Sequence, residues 1–197
     1  GAYAHIALDQ HLRRSGLDKR DRALATELVY GTLRRRLTLD WVLARYSRYP
    51  LAKLSAQLRN NLRMAVYQIL FLDSIPAAAA CNEAVELAKR FGHQGTAGLV
   101  NGILRSLLRD PLKGDFRKAA ENMELAERIS LLHSHPLWLV QHWLDELGPD
   151  ETEALCSANN ISPPTCVRVN TVKIQRDELV SFLQEEGVTA ALGRLAP

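Results

Sequence analysis

Leu58, Leu62, Val66, Ile69 and Leu70 recur at the spacing that places side chains on one face of a helix. A stretch with that period is a poor strand, because strand faces alternate at every second residue. Ser55 stands where a hydroxyl can cap the first turn. Pro76 biases the residue before it away from the α region, so the segment breaks between Asp73 and Pro76. This is the predicted central core helix, and its neighbours must be elements able to cover its apolar face.

The flanking segments repeat the pattern. Tyr3 to Arg14 is helical and ends at Ser15-Gly16, where glycine tolerates a left-handed cap. Asp18 caps the next helix, which runs through Leu24, Leu28 and Leu33. Gly31 lies inside it, at a cost of about 1 kcal/mol against alanine, which points to a close crossing or a kink. Leu37 to Tyr46 forms another helix, stopped around Tyr49-Pro50. Ala79 to Phe91 follows, with Glu86 placed to pair with Lys89 or Arg90. Leu99, Ile103, Leu107 and Leu108 mark a further core helix. About six helices with no strand signal predict an all-α bundle.

From Asp110 to Asn122 the composition turns polar, as in a loop. Helices are expected at Glu124–Leu132, at Leu137–Leu147 behind Pro136, and from a cap at Asp150 to about Ala158. Beyond Pro163-Pro164 the texture changes. Cys166 to Asn170 alternates like a strand, Asp177 to Glu186 is amphipathic, and Val188 to Leu192 suits a second strand. Strand, helix, strand is half of a ferredoxin-like α/β unit, and such a half leaves a sheet edge and an apolar face open. The expected division is an α-helical domain at residues 1–132 and an incomplete piece at 133–197.

Charge is distributed unevenly. The net value is +3, yet residues 1–109 carry +9 and residues 110–197 carry −6. Such asymmetry suits a polyanionic partner, although soluble helical surfaces can also be arginine-rich. No window approaches the roughly 18–20 apolar residues of a membrane span. Cys81, Cys156 and Cys166 lie far apart without a CxxC, which favours a reducing cytoplasm over disulfides or zinc.

No catalytic constellation stands out. There is no G-x-G-x-x-G and no P-loop. His133 and His135 lack an acidic or thiol partner at ligand spacing, so no metal site is expected. The cysteines are expected to be inert. What remains is a basic surface. Arg13 and Arg14 end the first helix, Lys19 and Arg20 open the second, and Arg34, Arg35 and Arg36 cluster at a helix junction, with Arg45, Arg48, Arg59 and Arg63 adding to it. Arginine's planar fork can bond two phosphate oxygens at once. Tyr46 and Tyr49 lie among these charges and can either stack on an unpaired base or pack, with packing favoured.

Four blocks carry a family resemblance: Leu24-Ala-Thr-Glu-Leu-Val-Tyr-Gly-Thr-Leu-Arg34, Leu62-Arg-Met-Ala-Val-Tyr-Gln-Ile-Leu70, Asn82-Glu-Ala-Val-Glu-Leu-Ala-Lys-Arg-Phe-Gly92 and Val100-Asn-Gly-Ile-Leu-Arg105. In order and spacing they resemble the NusB fold, an RNA-binding helical module. Ser134-His-Pro-Leu-Trp-Leu-Val140 and Pro163-Pro-Thr-Cys-Val-Arg-Val-Asn170 resemble the opening of the methyltransferase part of the Sun (Fmu) family. That family methylates C5 of a cytosine in small-subunit ribosomal RNA.

The resemblance implies an RNA-binding portion of a longer enzyme. Ribosomal RNA would be the partner, and S-adenosylmethionine the cofactor of the parent protein rather than of this stretch. Arg13, Arg14, Lys19 and Arg20 are the positions it carries over for RNA contact. Asn82-Glu83 and Asn101-Gly102 are assigned to helix packing. The family's catalytic Thr-Cys lies much later in its chain, so Thr165-Cys166 is read as part of a strand. A free-standing NusB-type antitermination factor explains residues 1–132 equally well but leaves Trp138, Trp143 and Val167–Asn170 unaccounted for.

Overall fold

The computed structural model describes residues 3–92, 94–112 and 114–193. Two compact units divide the chain, residues 1–160 and 161–197. The first is helical throughout. Its first six helices are α1 (Ala4–Arg14), α2 (Lys19–Arg34), α3 (Arg36–Tyr46), α4 (Ala56–Phe71), α5 (Ala77–Phe91) and α6 (Gln94–Arg109). Four more follow: α7 (Phe116–Ala120), α8 (Leu125–His133), α9 (Leu137–Leu147) and α10 (Pro149–Ala158). The all-α bundle is therefore as expected.

Helix α4 is the hub, packing against α2, α3, α5 and α6. Its Leu62, Ala65 and Val66 meet Leu39, Val42 and Leu43 of α3 and Val100, Leu104 and Leu107 of α6 in one buried cluster. Burying each such side chain contributes about 1.5–3 kcal/mol, so this cluster dominates the unit's stability. The predicted caps form: Asp18 accepts from the Asp21 amide at 2.8 Å and Ser55 from the Leu58 amide at 3.3 Å. Gly31 marks a close crossing, since a Cβ there would lie 2.1 Å from the Tyr67 ring. Gly102 does not, for a Cβ there would meet nothing within 4 Å. The α5–α6 contact is made instead by Ala84, Ala88 and Ala97, all buried.

A smaller cluster, Ile129, Val140 and Cys156, joins α8, α9 and α10. Because of it, α9 and α10 belong to the same compact unit as α8, and that unit extends to Asn160. The cap of α10 is Gly148, at φ +78°, with Pro149 opening the helix, so Asp150 sits in the first turn instead of at the expected cap. Proline suits that place because its missing N–H would be unpaired there anyway.

In the second unit, α11 (Arg176–Glu185) carries a complete capping box between Gln175 and Glu178. The strands expected at Cys166–Asn170 and Val188–Leu192 are not formed, and no strand occurs among the described residues. A strand exists only through ladder bonds to a neighbour. In a split βαβ unit the first two strands are separated by a slot for another strand, so these two segments alone cannot pair. After the first segment the chain closes into a turn, with the Lys173 and Ile174 amides donating to the Asn170 carbonyl at 2.9 and 3.2 Å.

Candidate nucleic-acid interface

The α1–α2 turn is held by its own polar groups. The Ser15 hydroxyl donates to the Leu12 carbonyl at 2.9 Å, Gly16 takes φ +67°, and the Arg22 Nε donates to the Leu17 carbonyl at 2.9 Å. Around this turn Arg13, Arg14, Lys19 and Arg20 are all exposed. Arg13 forms an exposed pair with Asp9 at 2.9 Å. Solvent screening makes such a pair worth little, so Arg13 can exchange it for a phosphate. Lys19 and Arg20 lie in the first turn of α2, where the helix dipole disfavours cations and favours anions. An incoming phosphate relieves that mismatch.

Arg34, Arg35 and Arg36 sit at the other end of α2, about 21 Å along the axis from Arg20. Fourteen residues of helix bring Arg34 to within about 40° of Arg20 around that axis. Arg20 and Arg34 thus share a side of α2 while lying at opposite ends of it. Within the second group the three arginines differ. Arg35 is structural: its Nη1 donates to the Leu132 carbonyl at 3.1 Å and its guanidinium lies 5.3 Å from the Phe71 ring centre. Desolvation by burial lowers its pKa, the neighbouring Arg34 and Arg117 adding to the effect and Tyr67 opposing it.

The same junction is tied to the end of α8 twice more. Thr38 Oγ1 donates to the Leu131 carbonyl at 2.7 Å, and Ser134 Oγ accepts from the Leu37 amide at 2.9 Å. These bonds occupy groups that a helix end leaves open. Arg34 is half-buried beside Tyr67, whose hydroxyl donates to Glu27 at 2.5 Å. Burial first, then that bond, pushes the Tyr67 phenol up to about 12, with Arg34 and Arg35 pulling the other way. Arg36 is exposed and has no protein partner among the described residues.

Sequence spacing gave no sign of Arg117 and Lys118, both exposed on α7. Arg117 is close enough to Arg35 to lower its pKa, and it lies 4.9 Å from the Phe116 ring centre. Phe116 in turn meets Phe71 at 5.9 Å. The fold therefore stacks two arginines and two phenylalanines from distant parts of the chain. Other basic residues are spent internally. Arg63 grips Asp40 through two bonds of 2.7 and 2.6 Å, and Arg59 donates to the Leu51 carbonyl at 3.2 Å. Arg45 covers Trp41 at 4.8 Å.

Tyr46 packs, with its hydroxyl bonded to Asp110 and its pKa raised to about 12 by burial and then by that carboxylate. Tyr49 does not pack and is exposed. Cys81 and Cys156 are buried, which raises both thiols and keeps them protonated, while Cys166 is exposed. Asn101 is half-buried and accepts from Arg105 Nε at 3.0 Å. Asn82 and Glu83, expected to pack between helices, are exposed. No group of three His, Cys, Asp or Glu side chains among the described residues is arranged to hold a metal ion.

Residues 1–109 match the model of the NusB family. The chain belongs to the NusB family. Residues 135–197 match a second model, the RsmF/B-like methyltransferase ferredoxin-like domain. Along its length the chain is similar to a probable ribosomal RNA small subunit methyltransferase B of Bacillus subtilis (strain 168), at 37% identity over 99% of this chain and 42% of the relative. A protein of the same description in Synechocystis sp. is 36% identical over 95% of this chain and 41% of the relative. The ribosomal RNA small subunit methyltransferase B of Photorhabdus laumondii is 32% identical over 90% and 39%. The chain thus spans about two-fifths of the length of these relatives.

Proposed function

We propose that this chain is the RNA-binding portion of an S-adenosylmethionine-dependent methyltransferase acting on C5 of a cytosine in small-subunit ribosomal RNA. The observation that carries this reading is collinear similarity: a relative named for methylating that RNA matches 99% of the chain, across both family segments. A free NusB-type factor leaves the match at residues 135–197 without explanation. The exposed cations Arg13, Arg14, Lys19, Arg20 and Arg36 supply a physical means of holding a phosphate backbone. A cytoplasmic location belongs to the same reading. No described helix is long and apolar enough to cross a membrane.

The described residues do not fit the cofactor. They contain no strand leading into a glycine-rich turn and an acidic residue, and the buried, protonated Cys81 and Cys156 are poor nucleophiles. Methyl transfer is assigned to the remainder of a longer protein. The role left to this chain is to grip RNA through Arg13, Arg14, Lys19, Arg20, Arg34 and Arg36 and present it, with Arg35 holding the junction that aims its neighbours.

A gel shift of this chain on unmodified small-subunit RNA tests the reading. Replacing Arg14, Arg20 and Arg36 together by Glu spares the internal bonds of Arg35. Binding should fall about tenfold or more, and the salt dependence should become shallower as fewer phosphates are neutralised. Undiminished binding by the triple variant removes these residues from the interface.

A further inference from the structure

A groove of about 810 Å³ opens along α4, α5 and α6, away from any role assigned so far. Met64 forms part of its apolar lining, Tyr49 and Phe91 stand on it with 57% and 68% of their surfaces exposed, and Gln57 and Asn60 supply amides. Among the described residues Lys53 is the only charged side chain lining it. Exposing two aromatic rings at one opening has a cost in water, which an occupant would remove.

The charge around the groove says which occupant. From Trp41 to Leu72 the chain has no Asp or Glu, and with Arg45, Arg59 and Arg63 engaged inside the protein the cations left are Arg48 and Lys53. Arg48 is exposed and without a protein partner among the described residues. Outside the lining itself, Arg90 lies 5.3 Å from the ring centre of the lining residue Phe91. An apolar slot with aromatic walls, amide edges and a cationic rim suits a flat ring tethered to a phosphate. A purely apolar peptide would leave the amides and Lys53 without a match.

We infer that this groove is a binding site for an unpaired nucleobase of RNA, stacked on Phe91 or Tyr49, with its edge toward Gln57 and Asn60 and its phosphates toward Lys53 and Arg90. The inference rests on the RNA-binding reading and adds a site to it. The phosphate contacts of α2 hold the strand, and the groove selects for single-stranded character, because a paired base presents no free face.

The test uses the whole chain and a single-stranded RNA of about ten nucleotides, within the usual site size. Fluorescence anisotropy is read for the unaltered chain, Phe91→Ala, Tyr49→Ala and Phe91→Trp, with thermal unfolding as a fold check. Stacking predicts about a tenfold loss for at least one of the two alanine variants, with little loss for Phe91→Trp. An RNA carrying an abasic position should reduce affinity for the unaltered chain and abolish the difference from Phe91→Ala. If both alanine variants bind as tightly as the unaltered chain while the Arg14/Arg20/Arg36→Glu variant binds weakly, the groove inference is overturned and the RNA reading stands. If the unaltered chain fails to bind RNA, both fall. Sedimentation showing self-association that Phe91→Ala abolishes, with RNA affinity unchanged, overturns it in favour of a second copy of this chain.

Discussion

The helical unit and the segment after Asn160 obey the same local rules and reach different ends. Helices α2 and α11 both begin with a side-chain cap, and α11 has the fuller one. Yet the first unit encloses Leu39, Val42, Leu62 and Leu104 completely, whereas no described residue from 161 to 193 is buried. In the second, Val172 is 93% and Phe182 53% exposed. Capping and periodicity make a helix, but only a second apolar surface makes a core, and that surface must come from packed neighbours.

The sharpest way to break this contrast is to truncate one apolar residue in each unit. Leu104→Ala removes a fully buried side chain and should cost about 2–5 kcal/mol in chemical denaturation. Phe182→Ala should stay within about 0.5 kcal/mol. A comparable loss at Phe182 would mean that the second unit has an apolar core after all.

Next in size are the glycines. Gly31→Ala drives a methyl into Tyr67 and should destabilise the first unit by about 1–3 kcal/mol, seen as a lower melting temperature. Gly187→Ala meets open space but sits at φ +77°, so its strain should appear only as faster amide exchange at the end of α11. Removing caps should give a smaller version of the same split. Asp18→Ala should cost about 1 kcal/mol of overall stability, while Gln175→Ala should fray α11 without moving the main transition.

The smallest effect is on pH dependence. Burial holds His133 below its ordinary 6.5, and Glu153 at 3.8 Å offsets this only in part. The folded chain therefore binds this proton less readily than the unfolded chain. The stability associated with neutral His133 is complete above about pH 6.5 and declines as pH falls through that value. Melting temperature should drop more between about pH 7.5 and about pH 5 for the unaltered chain than for His133→Asn. Equal drops would place the acid sensitivity elsewhere.

Much of the fold was legible in the chain because its causes are local. The 3.6 period of Leu58 to Leu70, the Asp18 and Ser55 caps and the unusual Gly31 each announce a helix, an end or a crossing within a few residues. The candidate interface was legible only in part. Arg34, Arg35 and Arg36 are alike in sequence, yet one anchors α8 and one is left to solvent. The pairing of Arg63 with Asp40 likewise follows from two helices meeting. Tyr46 and Tyr49 differ for the same reason, since Asp110 reaches only the first.

By itself the sequence determined the helical class, the order and most boundaries of the helices, and the basic character of the first half. Those properties depend on side-chain spacing, capping and charge, which neighbouring residues decide among themselves. Tertiary structure alone decided which arginines are occupied, where Arg117 joins them, that α9 and α10 pack with α8, and that Tyr49 and Phe91 share one groove. Each of these requires two segments distant along the chain to meet, and such meetings are set by how apolar faces close on one another rather than by any local pattern.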